Sequence, residues 1–444
     1  MQWLANKRFV HGIQPPEHKE TTARLPIHQF PFAPELNLPL QQHIGKAALC
    51  QVRIGQEVRR GEVIATADGD MSVPIHAPAS GTITSIGLVP TIAGQPTMGI
   101  TLRPFPASTQ EVATGTPCDG HHATPQDILS AIQGAGIVGL GGAAFPTHVK
   151  LRVPDQHVID TLIINGCECE PYLTTDHRVM LEQAADIVRG IRYVQKASGA
   201  ARTVIAIEAN KADAADILQK HLPDDMPVRI ETLPVKYPQG AEKILVKSLL
   251  GREIPAGGHA YHVGVVTVNV ATAAEIGRLL PLGRGICERV ITVAGGAIQK
   301  PGNYRIPIGT PLRFVLDFVG ASAQLQRIFL GGPMMGSAVA NLKVSITKGT
   351  AGVMAFTAAE CGASLNEYPC IHCGACVDAC PVGLNPSQLG KLAQKQRYAE
   401  MAQRYYLHDC FECGSCGYVC PSHIPLTQHF RAAKAALATT RDAS

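Results

Sequence analysis

Charge is scarce in this 444-residue chain: 39 basic and 35 acidic side chains make up 17% of it, against about 25% in an average soluble protein. The net charge of +4 is too small for this length to suggest a nucleic-acid surface. Long apolar runs are missing as well. The best window, Val263 to Leu280, is broken by Asn269, Glu275 and Arg278, so no membrane-spanning helix is expected. The first residues lack the apolar core of a secretory signal. These lacks point to a cytoplasmic protein with reduced thiols. Disorder is excluded by the 45% hydrophobic residues, enough to bury a core. The length suggests about three domains.

Three residue types are plentiful: 43 glycines, 32 prolines and 14 cysteines. Eight cysteines crowd between Cys370 and Cys420. A disulfide framework would spread its pairs through a small secreted domain. The crowding therefore reads as metal ligation.

Organisation follows from the pattern along the chain. Residues 1–35 are proline-rich and aperiodic, and are expected to lie extended over a domain or partner. Residues 36–115 alternate short β-prone runs with glycine turns. They resemble the barrel-sandwich hybrid of lipoyl and biotinyl domains. The stretch Asp68-Gly69-Asp70-Met71-Ser72 has no lysine where those domains carry a modified one. That argues for a docking or structural module. Residues 116–285 begin with a linker and a helix from Pro125 to Gln133 capped by Thr124. Strands at 157–164, 203–208, 228–231 and 263–270 then alternate with helices at 178–197, 212–220 and 240–250, the pattern of an α/β domain. Residues 286–355 return to short strands with one helix near 311–319, and residues 356–444 are helical and cysteine-rich.

The cysteine region is an internal repeat. Cys370-x-x-Cys373-x-x-Cys376-x-x-x-Cys380-Pro381 recurs forty residues later as Cys410-x-x-Cys413-x-x-Cys416-x-x-x-Cys420-Pro421. Three thiolates two residues apart wrap a cubane of thiophilic iron, and the fourth ligates the other cluster. Cluster one is thus assigned to Cys370, Cys373, Cys376 and Cys420. Cluster two is assigned to Cys410, Cys413, Cys416 and Cys380. Structural zinc is the alternative, but zinc prefers paired C-x₂-C knuckles separated by a longer spacer. His372 and His423 read as hydrogen-bonding neighbours.

Gly134 to Gly139 satisfies G-x-G-x-x-G, but a helix precedes it, so the dinucleotide fingerprint is rejected. The longer string Gly139-Leu140-Gly141-Gly142-Ala143-Ala144-Phe145-Pro146-Thr147-x-x-Lys150 is more specific. Consecutive glycines expose N–H groups that bind anions, and a lysine adds a point charge suited to phosphate. This string resembles the flavin loop of the NADH-oxidising subunit of respiratory complex I. So do Asn165-Gly166-Cys167-Glu168-Cys169-Glu170-Pro171, Tyr237-Pro238-Gln239-Gly240-Ala241-Glu242 and Asn269-Val270-Ala271-Thr272.

With Gly12-Ile13-Gln14-Pro15-Pro16-Glu17-His18-Lys19 and Phe329-Leu330-Gly331-Gly332-Pro333-Met334-Met335-Gly336, nearly the whole chain resembles the RnfC family, the C component of the Rnf electron-transport complex. The resemblance implies a multidomain α/β plus β protein: a barrel-sandwich hybrid, a Rossmann-like flavin domain, a β-grasp domain of the SLBB type and a helical two-cluster ferredoxin domain. It implies two [4Fe–4S] clusters, non-covalent FMN and NAD(H) as substrate. Gly139, Gly141, Gly142 and Lys150 are implied to cradle FMN, with Asn165, Glu168, Tyr237, Gly240, Asn269 and Thr272 completing the pocket. Phe145 and Glu170 are implied to meet the nicotinamide nucleotide, and Glu242 to line the space near the flavin.

No side chain is expected to act as acid or nucleophile, since hydride passes directly between cofactors. Ala144, Ala241 and Ala271 depart from the complex I pattern. Cys167 and Cys169 lack two further ligands for a metal. The implied partners are membrane and iron–sulfur subunits, with ferredoxin indirectly. The implied place is the cytoplasmic side of the bacterial inner membrane. The alternatives are a soluble reductase similar to cobalamin reductases, and an electron-transfer scaffold without NADH activity.

Overall fold

The computed structural model describes residues 9–361 and 366–442. The first eight residues of the N-terminal segment and the last two of the chain lie outside them. No helix among the described residues is long and apolar enough to cross a membrane.

A four-stranded sheet and a three-stranded sheet occupy residues 36–104. The larger joins Leu36–Pro39, Thr97–Pro104, Gly81–Val89 and Glu57–Val58, all antiparallel. Ile64, Ile75, Ile83, Ile100 and Leu102 alternate inward and are fully buried, the period-two signature of strands that bury one face.

The next unit is built on a parallel sheet in the order Val228–Leu233, Arg202–Glu208, Thr161–Gly166, Val265–Asn269. The chain lays down the third strand of that row first, adds two on one side, then crosses to the other. That reversal makes a switch point between Thr161–Gly166 and Val265–Asn269, where open α/β sheets bind ligands beyond their carboxyl ends. The helix expected from Pro125 runs Pro125–Gly134, with a reciprocal capping box between Thr124 and Asp127. The helix expected at 178–197 is two helices, Thr175–Glu182 and Ala184–Ser198, broken at Gln183 (φ −127°). The first of the two begins earlier than expected because Glu168 caps it, as described below.

A six-stranded sheet follows, in the order Ile27–Gln29, Gly302–Pro307, Glu288–Ala294, Gly352–Thr357, Leu325–Leu330, Ser337–Ala338. Its edge strand comes from the N-terminal segment and pairs in parallel with Gly302–Pro307. That segment is therefore part of a sheet in addition to lying over other units.

The cysteine region is helical and visibly duplicated. The short helices Ala375–Asp378 and Ser415–Tyr418 start at Gly374 and Gly414, whose φ angles are +81° and +82°. Only glycine takes such angles freely. Between the two cysteine runs the chain forms two helices, Pro386–Gln394 and Tyr398–Tyr405.

Candidate functional site

The glycine string closes on itself. Gly139 N–H donates to the Phe145 carbonyl (2.8 Å), and Ala144 N–H donates back to Gly139 (3.1 Å). Leu140 N–H donates to the Thr272 hydroxyl (2.9 Å), pinning the loop to the helix Val270–Leu279. The N–H groups of Gly141, Gly142 and Ala143 find no acceptor among the described residues, and all three residues are exposed. Three successive free donors form a cradle for an anion such as a phosphate. Ala144 holds φ +50°, a region that favours glycine. This explains why the related pattern has glycine there and identifies Ala144 as a strained departure.

A cleft of about 400 Å³ opens beside this loop at the switch point. Gly141, Asn165, Glu168, Glu170, Tyr237, Gly240, Glu242 and Asn269, all expected from sequence, line it. Asn165 and Asn269 are register partners at adjacent strand ends. Asn165 donates to Gly240 O (2.8 Å) and accepts from Cys167 N–H (3.0 Å). Asn269 caps the helix Val270–Leu279 through Ala271 and Thr272 N–H, and donates to Asp176 Oδ2 (2.7 Å). Glu168 accepts from the N–H groups of Asp176 (2.8 Å) and His177 (3.3 Å), stabilising the start of Thr175–Glu182.

Five expected residues stand elsewhere. Gly139 and Thr272 act through the loop bonds above. Gly142 lines a neighbouring cleft of about 520 Å³, which meets the first along Gly141 and Glu170. Phe145 lines neither cleft; its carbonyl closes the loop. Lys150 is paired inside the site. Its ammonium donates to Glu242 Oε2 (2.6 Å) and the Thr267 hydroxyl (2.8 Å). Burial works to raise the Glu242 pKa, but the Lys150 charge and the hydrogen bonds that Lys150 and the Thr267 hydroxyl donate to Glu242 outweigh it and hold the carboxyl below its ordinary value. Glu170 has its carboxylate held by the N–H groups of Met334 (3.1 Å) and Met335 (2.7 Å). Burial still pushes it up to about 7.

Sequence reasoning missed several neighbours. Asp176, Lys243, Met335 and Phe411 also line the cleft. Behind the cleft, the buried Lys19 ammonium donates to the carbonyls of Glu168 (2.8 Å), Glu170 (2.9 Å) and Leu173. An acidic residue in the first turn of a helix was the available sign for Asp176. Nothing local marks Lys19, whose partners lie about 150 positions away.

The cysteines arrange as two sets. Cys380, Cys410, Cys413 and Cys416 line one small cavity, together with Phe411, Leu384 and Phe430. Around Cys376, burial first and then Cys420, Cys373 and Cys370 raise the thiol pKa, which places these four as neighbours. Among the described residues, no three or more His, Cys, Asp or Glu side chains converge closely enough for a single metal ion. A cubane does not ask for such convergence, because each thiolate binds a different iron. His372 meets Lys391 Nζ (2.9 Å).

The cleft and the inner cysteine cavity share a wall. Phe411 lines both. Tyr237, also a lining residue, donates its hydroxyl to Cys413 O (2.6 Å), and Ile13, Tyr237, Ala379 and Cys413 pack in one apolar cluster. Lys243 pairs with Asp409 (2.7 Å) across the same junction.

Comparison with known proteins agrees with this layout. Residues 7–104 match the RnfC barrel-sandwich hybrid domain, 132–278 the Nuo51 FMN-binding domain, 290–338 the SLBB domain and 369–424 the 4Fe–4S dicluster domain. The chain is 39% identical to the C component of the proton-translocating ferredoxin:NAD(+) oxidoreductase complex of Clostridium ljungdahlii, over 91% of this chain and 88% of that one. It is 39% identical to the C component of the ion-translocating oxidoreductase complex of Rhodobacter capsulatus, over 96% and 82%. It is 36% identical to the C component of the Na(+)-translocating ferredoxin:NAD(+) oxidoreductase complex of Acetobacterium woodii, over 88% of each. In fold alone it resembles an NAD+-reducing [NiFe]-hydrogenase structure, with TM-score 0.50 and 18% identity over 71% of this chain and 64% of that one.

Proposed function

Because the chain belongs to the RnfC family, the C components of ion-translocating ferredoxin:NAD(+) oxidoreductase complexes, we propose that it exchanges hydride with NAD(H) at FMN and carries single electrons through two [4Fe–4S] clusters. FMN, when bound, supplies the conversion between two-electron and one-electron chemistry. The observation that carries this reading is the shared wall at Phe411, which sets the inner cysteine cavity directly against the cleft.

The residues fit both cofactors. The free N–H groups of Gly141, Gly142 and Ala143 suit the FMN phosphate. Asn165, Glu168, Tyr237, Gly240, Asn269 and Thr272 fix the cleft walls, and Lys150 holds Glu242 anionic beside the flavin. Glu170, at the junction of the two clefts, borders the nicotinamide nucleotide, and Phe145 supports the loop. Cys370, Cys373, Cys376 and Cys420 hold the outer cluster; Cys410, Cys413, Cys416 and Cys380 hold the inner one.

The domain limits follow as 1–35, 36–115, 116–285, 286–355 and 356–444, with 116–285 Rossmann-like in its parallel sheet and 286–355 β-grasp in type. The chain works as a peripheral subunit on the cytoplasmic face, handing electrons to membrane and iron–sulfur subunits. Anaerobic purification of the full chain, with flavin and iron counts and NADH-driven reduction of a one-electron acceptor, tests the reading. One FMN and about eight irons are expected. Four irons, zinc, or FMN that NADH does not reduce would refute it.

A further inference from the structure

Oxidation of one NADH yields NAD+, two electrons and one proton. The electrons leave singly for one-electron acceptors, so each turnover leaves one proton inside the cleft that must reach bulk water. In the opposite direction one proton must enter. A site of this kind needs a group that can hold a proton for a time, and no residue has yet been given that task.

Three carboxylates line the cleft besides Glu168. Two are committed. Glu242 is kept anionic by Lys150, and Glu170 holds the Met334–Met335 loop. The third is Asp176, in the first turn of Thr175–Glu182. One carboxylate oxygen accepts from Asn269, and the other accepts from no neighbouring side chain among the described residues. Burial first and the nearby Glu168 second push its carboxyl well above the ordinary value.

The groups around it are few and of mixed sign. Arg289, from the strand Glu288–Ala294, and Lys211, from the turn before Ala212–His221, favour its charged form. Glu275, on the facing helix, is already paired with Arg278 and Arg305. His177, the next residue, is paired with Asp213. Asp176 and Glu242 thus have environments that push two cleft carboxylates in opposite directions, which is how acid–base roles are divided in one site.

A way out exists beside Glu168, whose carboxylate accepts from Asp176 N–H. Glu168 lines both the cleft and a second cavity of about 160 Å³, walled by Glu17, Lys19, Glu208 and Asn210. Asn210 is exposed, so this cavity reaches the surface. A polar cavity of that size holds water that can carry a proton onward.

We propose that Asp176 is the proton-holding residue of the cleft, exchanging one proton per hydride with bulk water past Glu168, by way of the cavity that Glu168 also lines. As NADH is oxidised, the C–H bond that carried the hydride breaks, its two electrons go on singly to the one-electron acceptor, and the proton left behind forms an O–H bond on the Asp176 carboxylate. That bond breaks as the proton passes to water. The inference rests on the function proposed above.

The test uses the full chain, loaded anaerobically with FMN and iron–sulfur clusters, as wild type, Asp176→Asn and Asp176→Glu. Infrared difference spectra between oxidised and NADH-reduced protein should show a carboxylic C=O change in wild type. It should be absent in Asp176→Asn and shifted in Asp176→Glu. Rapid mixing with a pH indicator should show, in Asp176→Asn, a far larger loss in proton release than in flavin reduction by NADH. Proton release on reoxidation should slow by about a hundredfold, with Asp176→Glu restoring most of it.

A wild-type chain reduced normally by NADH but lacking the carboxyl change overturns this inference alone, and that measurement stands even if Asp176→Asn fails to fold. Proton release at the wild-type rate in Asp176→Asn also overturns it, as does an equal loss in both half-reactions, which would assign Asp176 a structural role. A wild-type chain that takes up no FMN overturns the function itself, and this inference with it.

Discussion

The two cysteine runs share a spacing and a backbone and differ in what surrounds them. Their glycine starts match, as do the positive φ angles of His372 and Glu412, both 60°. Gly383 (68°) and His423 (53°) match as well, forty residues apart. Yet Cys413 and Cys416 are buried, while Cys373 is exposed. The later run meets Tyr237, Phe411 and the Lys243–Asp409 pair at the cleft. The earlier run borders Tyr368 and Ile371, which are 56% and 67% exposed. Duplication therefore settles the ligands, and the neighbours settle the roles. One set looks inward to the cleft and the other outward.

The most severe break of this comparison is to remove one cluster at a time. Cys413→Ser should lower NADH-driven reduction of a cluster-dependent acceptor on the order of a hundredfold or more, and drop the iron count from about eight to about four. Cys373→Ser should lose the same iron but keep one cluster that NADH reduces, read by low-temperature electron paramagnetic resonance. Equal behaviour of the two variants would erase the inner–outer distinction.

Lys19→Met tests what holds the inner side together. It leaves three buried carbonyls without their donor, a cost of about 3 kcal/mol. Chemical denaturation should report it, together with weakened FMN retention. Tyr237→Phe, which frees Cys413 O at the shared wall, should cost about 1 kcal/mol. It should slow cluster reduction more than flavin reduction in rapid-mixing traces. Smallest of all, Ile371→Asp on the outer face should leave NADH oxidation by the isolated chain within about twofold. A larger loss there would place the outer run closer to the chemistry than its surroundings indicate.

Much of this was legible in the sequence because the signals are local. The cysteine spacing and the glycine string each encode a backbone shape over a dozen residues. The strand ends carrying Asn165 and Asn269 follow from alternating α and β patterns. What the sequence does not show is the long-range part. Nothing near Lys150 in the chain shows that Glu242, ninety-two positions on, faces it. Nor does the sequence show that the Phe145 carbonyl closes the glycine loop. Lys19, Asp176 and Phe411 gain their roles from elements that meet only when four units pack together. The strand Ile27–Gln29 is too short for any periodicity to show, and only pairing with Gly302–Pro307 creates it.

The N-terminal strap has a consequence for how the molecule is made. Residues 11–13 are synthesised early, yet they bond to Asp378, Ala379 and Tyr237, and the His11 contact spans 367 positions. Contacts of such separation form late, because a long stretch of chain must be ordered first. The strap must therefore wait on the nascent chain until the cysteine region has emerged. Since Gly12 fastens beside Cys380, seating the strap and loading the inner set are neighbouring events. The strap's fastening at Ala379, next to Cys380, thus closes over the backbone that carries one thiol of that pocket.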